Sequence, residues 1–226
     1  MDKKINVACS WSGGKDSCYA LMLSKAMGYT PIVLLNVLNE NGKVSRSHGL
    51  PVEILNQQAR EMNLPLITIS SSWENYETNF IDRLKQIRSD YDIDAMVFGD
   101  IDIQSHRDWE EKVCKAANIE AILPLWQRER NELAMEMLMS GIESIIVSCN
   151  THLGERFLGK LFDTKLINQL DNLGIDTCGE NGEFHSAVLN CPLFKNKIYI
   201  PEHTKKAHLD YCFIDWDSVV LPDLHS

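Results

Sequence analysis

Ser12-Gly13-Gly14-Lys15-Asp16-Ser17 gathers two glycines, two hydroxyls, a cation and a carboxylate between the apolar run Ile5 to Cys9 and an apolar helical pattern that begins at Cys18. A strand that passes through a glycine pair into a helix leaves the first helical N–H groups unpaired, with about half a unit of positive charge behind them. The residue types fit an anion seat. Gly13 and Gly14 let the backbone approach the anion, Ser12 and Ser17 add hydroxyl donors, and Lys15 adds a full charge. The commoner phosphate loop G-x-x-x-x-G-K-[ST] would need Gly at position 9 and Ser or Thr at position 16, where this chain has Cys9 and Asp16. A second polar stretch, Cys178-Gly179-Glu180-Asn181-Gly182-Glu183-Phe184-His185, interleaves glycines with carboxylates beside strongly apolar sequence. It reads either as a tight, partly enclosed polar loop or as an Asn-Gly turn with solvated glutamates.

The elements that must position these stretches follow in order. The apolar pattern gives a strand from Ile5 to Trp11, then a helix with Cys18, Leu21, Met22 and Ala26 on one face, ending near Gly28. Tyr19, Ala20 and Leu23 make the other side of that helix apolar too, as for a helix covered on both faces. Pro31 to Leu38 reads as a buried strand, Pro51 opens a helix, Leu66 to Ser70 is a strand, and Tyr76, Phe80, Leu84 and Ile87 mark the next helix face. Strand Ala95 to Phe98 and a helix carrying Trp109, Val113, Ala116 and Ala117 continue the alternation. Repeated β-α units predict a doubly wound parallel sheet, with ligands at the carboxyl ends of strands where the order reverses. If the first strand is that switch point, Gly99, Asp100, Ile101 and Asp102 face the 12–17 loop. Near Glu120 the pattern loosens, with Ile122-Leu123-Pro124-Leu125-Trp126 strand-like but holding a proline, placing a boundary that gives units 1–127 and 128–226. The second unit is expected to hold a helix 129–139, a strand 144–148, a helix 157–173 and mostly β-type sequence over 184–221.

The chain has 226 residues, 44% of them hydrophobic and 24% charged, enough to bury a substantial core. Seven cysteines without a C-x-x-C pair indicate neither a disulfide framework nor a structural zinc site and fit a reducing, cytoplasmic setting. No apolar run approaches bilayer-spanning length, so no membrane association is expected. A net charge of −10 disfavours a nucleic-acid partner, because long-range electrostatics repel a polyanion. Homo-oligomerisation is left open.

SGGKDS resembles the pyrophosphate-binding motif of the ATP pyrophosphatases, which cleave ATP between the α and β phosphates. Taken with Gly99-Asp100-Ile101, Leu125-Trp126, GERFLGKL over 154–161, and GENGEFH leading to Cys191-Pro192-Leu193-Phe194, the chain resembles the diphthine-ammonia ligase family. The resemblance spans nearly the whole sequence. It implies a HUP-type, Rossmann-like ATP-binding domain, a smaller C-terminal α+β domain that recognises substrate, and amidation of a carboxylate with ATP and ammonia. In eukaryotes and archaea the acceptor is diphthine, a modified histidine of a translation elongation factor. The sequence departs from the family pattern at Asn181, where Gly is usual, and at His185, where an acidic residue is usual.

The nucleotide-binding set is therefore Ser12, Gly13, Gly14, Lys15, Asp16, Ser17, Gly99 and Asp100, with His48 either lining the adenine pocket or lying in a surface turn. Asp16, Asp100 and Asp102 are the candidates to hold Mg²⁺. Lys15, Asp16, Glu180 and Glu183 are the expected catalytic groups. Glu180, Asn181, Gly182, Glu183 and His185 are the expected substrate-binding set, with the carboxylates handling ammonium or its proton. The expected partners are a small-molecule or protein carboxylate and ammonia. Met135, Met137, Met139, Trp73, Trp126 and Trp216 read as packing residues, and Cys149 and Cys191 as buried small hydrophobes. A tRNA-modifying or sulfur-transferring pyrophosphatase and a non-catalytic ATP or AMP sensor are the alternatives.

Overall fold

The structure, a computed structural model, describes residues 4–200 and 202–216. Five strands alternate with helices in the first part: β1 Asn6–Ser10, α1 Lys15–Ala26, β2 Thr30–Leu38, α2 Val52–Met62, β3 Leu66–Ser70, α3 Tyr76–Tyr91, β4 Ala95–Val97, α4 Gln104–Ala116 and β5 Glu120–Ile122. All pairings in this sheet are parallel, in the order β3-β2-β1-β4-β5. The sequence walks outward from β1 to β3, then returns to the other side of β1 with β4. The β1/β4 gap is thus the switch point, and the loops leaving β1 and β4 share one crevice.

The remaining elements are α5 Arg130–Met139, β6 Glu143–Asn150, α6 Thr164–Asn172, β7 Phe184–Asn190, β8 Thr204–His208 and β9 Tyr211–Asp215. They form an antiparallel sheet of order β7-β6-β9-β8. Two expectations are corrected here. The helix expected over 157–173 begins only at Thr164, because Gly159 takes φ +78° in a turn that Lys160 N–H closes on Phe157 C=O, Leu161 then bridges to Ile145, and only after that does the Asp163 side chain cap Leu166 N–H. The β-type sequence beyond β7 is interrupted by a non-strand connection before β8, and positions 217–221 lie outside the described residues.

Helix α1 joins the two sheets. Cys18, Tyr19, Ala20 and Leu21 are all buried, in one apolar cluster with Val7, Cys9 and Val97 of the first sheet and with Ile146, Ala187 and Val188 of the second. The double-sided apolar pattern of this helix has that cause: one face packs on its parent sheet and the other on β7 and α5. A second cluster, Ala8, Val33, Leu35, Phe80, Leu84, Ile87, Met96, Phe98 and Val113, closes the opposite face under α3 and α4. Among the methionines expected to pack, Met137 is buried and Met135 partly so, whereas Met139 is exposed. All seven cysteines are free and buried. No helix of the described residues is long and apolar enough to cross a membrane.

Candidate active site

The 12–17 loop and the 178–186 segment line one cavity of about 670 Å³. Ser12, Lys15, Asp16 and Ser17 come from the β1–α1 turn, Gly99 and Asp100 from the end of β4, and Cys178, Gly179, Glu180, Phe184, His185 and Ser186 from the approach to β7. The last segment is docked on the first by backbone: Val188 N–H donates to Gly13 C=O at 2.9 Å, and Gln58 Nε2 donates to both Gly13 C=O and Val188 C=O at 2.9 Å. Lys15 N–H donates to Ser186 Oγ at 3.1 Å.

At the loop, Ser12 Oγ lies 3.0 Å from Ser17 Oγ and accepts from Gly14 N–H. The loop is hemmed in tightly: a Cβ on Gly99 would stand 2.7 Å from Ser17 N, so β4 passes directly against the first turn of α1. Lys15 is 2% exposed and its Nζ donates to both Asp16 carboxylate oxygens, at 3.0 and 2.9 Å, and to Cys178 C=O. Its charge also lies over the rings of Phe162 and Phe184. Burial opposes protonation of Lys15, but Asp16 and its neighbours more than offset this and hold the ammonium above its ordinary pKa. For Asp16 burial wins instead, and its carboxyl is raised despite Lys15.

Facing this pair, Glu180 is pushed up to about 7, first by burial and then by Asp100 and Asp16, with the Ile101 N–H bond to Oε1 at 3.0 Å acting in the other direction. A carboxyl titrating there can exchange a proton at neutral pH. Asp100 accepts from His106 Nδ1 at 2.7 Å; burial raises its carboxyl, yet bonds from His106 and Glu110 bring it below the ordinary value. His48 and His185 stack at 4.7 Å between ring centroids. Burial depresses His48 to about 4 and His185 to about 3, so both rings are neutral at pH 7. His48 Nδ1 sits 2.8 Å from Ser186 C=O, an acceptor, so the proton of this neutral ring is on Nδ1. His48 is thus a cavity wall and not a surface turn.

Several expected site residues fall elsewhere. Gly13 and Gly14 shape the loop without lining the cavity. Glu183, Asn181 and Gly182 do not line it either: the Glu183 carboxylate folds back on Asn181 N–H at 3.1 Å and Asn181 Nδ2 at 3.2 Å, and Gly182 C=O accepts from Tyr211 Oη. Asp102 is turned into an ion pair with Arg130 and is likewise outside the lining. Among the described residues no group of three or more His, Cys, Asp or Glu side chains is arranged to hold a metal by itself. The hard carboxylate oxygens of Asp16 and Asp100, side by side in the cavity, fit Mg²⁺, which commonly takes one or two carboxylates and completes its shell with substrate phosphates and water. Asp102, outside the lining, does not.

Sequence reasoning missed the far wall. Trp73, Tyr76 and Glu77 of the α3 entry, and Ser105, His106, Trp109 and Glu110 of α4, complete the lining. Glu110 is 3% exposed, its Oε2 has no partner, and its carboxyl is pushed up to about 11 by burial and by its bond to Asp100. A signal existed: Glu110 lies at i−3 and i−4 from the buried Val113 and Cys114, so a carboxylate occupies the inward phase of the helix.

A glycine-bearing strand-to-helix turn at the switch point of a parallel sheet, carrying SGGKDS, defines a PP-loop nucleotide-binding protein of the α/β class. The description "Diphthamide synthase N-terminal domain" matches residues 5–121, and "Diphthamide synthase C-terminal domain" matches residues 130–221. The chain belongs to the diphthamide synthase family, whose characterised relatives are ligases. It is 29% identical to a diphthine–ammonia ligase of Rattus norvegicus, over 98% of this chain and 92% of the relative. It is also 29% identical to the diphthine–ammonia ligase of Homo sapiens, over 87% of this chain and 83% of the relative. A solved structure described as a "predicted subunit of tRNA methyltransferase" from Methanocaldococcus jannaschii superposes with a TM-score of 0.44 at 17% identity, covering 86% of this chain and 100% of that one.

Proposed function

We propose that this protein is an ATP-dependent amide-forming ligase that adenylates a carboxylate, releases pyrophosphate and transfers ammonia to the activated acyl group. The observation that carries this reading is the single cavity in which a phosphate loop on one side faces, on the other, a carboxyl poised near neutrality. A carboxylate does not condense with ammonia at neutral pH because oxide is a poor leaving group; adenylation replaces it with AMP. Ser12, Lys15 and Ser17, with the first turn of α1, hold the β and γ phosphates so that the acceptor carboxylate meets the α phosphorus in line. Asp16 and Asp100 would hold Mg²⁺, which would supply charge neutralisation to the phosphates.

Glu180, half-protonated near pH 7, takes the proton from ammonium and leaves a nucleophilic lone pair beside the acyl adenylate. The neutral rings of His48 and His185 add no positive charge that would repel the ammonium. The relatives' name supplies the acceptor to try first, diphthine on its carrier protein. The cysteine that lines the cavity, Cys178, has its thiol pushed up by burial and donates to Arg130 C=O, which gives no activated thiolate for sulfur transfer.

The test is to incubate the protein with ATP, Mg²⁺, ammonium and the diphthine-bearing factor and to measure AMP, pyrophosphate and the mass of the acceptor. The expected result is AMP and pyrophosphate in equal amounts, with an acceptor lighter by the exchange of hydroxyl for amide. ADP as product, or nucleotide binding without turnover over a panel of carboxylates, would overturn the reading.

A further inference from the structure

The loop carrying Glu180 has poor intrinsic structure: it holds three glycines with positive φ, Gly174, Gly179 and Gly182, and no regular element between α6 and β7. Its carboxylate nevertheless has to stand within hydrogen-bond reach of the ammonium for the proton transfer to be efficient. What fixes it is a closed ring of side chains with residues 101 and 102, on the loop after β4, at both ends. Arg130, the first residue of α5, donates from Nε to Asp102 Oδ2 at 2.9 Å and from Nη2 to Asp102 Oδ1 at 2.5 Å. Its third donor, Nη1, reaches Asp176 Oδ2 at 2.7 Å.

Asp176, only 5% exposed, spends both oxygens on the turn that follows: Oδ1 accepts from Cys178 N–H at 2.9 Å and Oδ2 from Glu180 N–H at 2.7 Å. Glu180 closes the ring by accepting from Ile101 N–H. Ile101 is itself pinned through its C=O, which accepts from Gln127 N–H at 2.7 Å.

We propose that Arg130 is a positioning residue of the reaction: by bridging Asp102 and Asp176 it holds the 176–180 turn on the switch-point loop and sets where the Glu180 carboxylate stands. The proposal rests on the ligase reading for its kinetic consequence, though not for its structural one. Arg130 does not line the cavity, so it acts through Glu180 and not on the nucleotide. Only a guanidinium can serve, since one planar fork must satisfy two carboxylates at once, which a lysine ammonium on a flexible stem does not do. The arrangement also gives Asp102, outside the cavity, a role other than metal binding.

The experiment pairs hydrogen exchange with kinetics on the full-length protein for Arg130→Lys, Glu180→Gln and the double variant, with Asp102→Asn as a second way to open the ring. In Arg130→Lys the amides of Cys178 and Glu180 are expected to exchange at least about tenfold faster while amides of the 12–17 loop do not change. Ammonium-dependent kcat/KM is expected to fall about tenfold, with unchanged affinity for a non-hydrolysable ATP analogue. Adding Arg130→Lys to Glu180→Gln is expected to cost nothing further, because the only route from Arg130 to the chemistry has been removed. Unaltered exchange at 178–180 in both Arg130→Lys and Asp102→Asn, or an equal loss of rate in the presence and absence of the Glu180 carboxylate, would overturn the proposal. A wild-type protein that forms no AMP from ATP, ammonium and acceptor would overturn the ligase reading alone, because the exchange result stands without it.

Discussion

The 12–17 loop and the 176–186 segment face each other across one cavity but are held there by different means. Residues 12–17 are placed by what flanks them in the chain: β1 sits in the middle of a parallel sheet, α1 starts at Lys15, and the turn between them has little freedom. Residues 176–186 follow a helix of the second unit and are placed by distant groups, with Arg130, Lys15, Ile101 and Gly13 all bonding to the turn or to β7 behind it. One side of the site is therefore local and stiff, and the other is assembled only when both sheets have packed on α1.

Variants can test whether the two sides do separate work. Glu180→Gln should have the largest effect, lowering ammonium-dependent turnover about a hundredfold while leaving ATP affinity unchanged. In the wild type the rate should climb as pH rises through about 7, where Glu180 loses its proton, and that inflection should vanish in Glu180→Gln. Lys15→Ala should act on the nucleotide side, costing about 1.5–3 kcal/mol of transition-state binding and so at least about tenfold in pyrophosphate release. Unlike Glu180→Gln, it should also weaken ATP binding in a calorimeter. An unchanged rate would remove Lys15 from the mechanism.

Gly99→Ala probes the frame itself. Its Cβ would lie 2.7 Å from Ser17 N and 2.9 Å from the Asp16 carbonyl carbon, both backbone, so β4 and α1 must part, at a cost of about 1–3 kcal/mol read from the thermal midpoint.

At Glu110 the effect falls on stability and not on turnover, and its sign runs against habit. The folded-state value of about 11 lies far above the ordinary 4.5, so between these the folded protein binds a proton that the unfolded chain has released, and stability falls as pH rises. Glu110→Gln keeps a donor for Asp100 and removes this pH dependence. The variant should melt at a higher temperature than the wild type at pH 8 and show no advantage below pH 4.5, measured by calorimetry across that range.

How much of this was legible in the chain depends on how far apart the interacting groups lie. The first four strands of the parallel sheet and the helices between them could be read almost to the residue, β3 at Leu66–Ser70 included, because buried parallel strands are short apolar runs and each helix shows its own face; β5, at Glu120–Ile122, was not, since the strand-like run begins only at Ile122. The double-sided apolar pattern of α1 announced a second layer without saying what it was. Past the first sheet the reading weakened, as at the helix expected over 157–173, where the left-handed glycine at 159 outweighed a good apolar phase. Motif spacing named Lys15, Asp16, Asp100, Glu180 and His185, all of which line the cavity, together with Glu183 and Asn181, which bond to each other outside it.

Sequence by itself determined a glycine-bearing turn with the residue types of an anion seat, the sheet that carries it and the switch point where it opens, because each follows from residues within one β-α unit and from the handedness of its crossover. Tertiary structure decided which carboxylates matter. Burial raised Glu180 and Glu110, Arg130 withdrew Asp102, and Lys15 Nζ met the Cys178 carbonyl and the Phe162 ring, all through groups remote in sequence. The physical reason is that a carboxyl's charge state and reach depend on its solvent and its partners, and neither exists until the chain has closed around it.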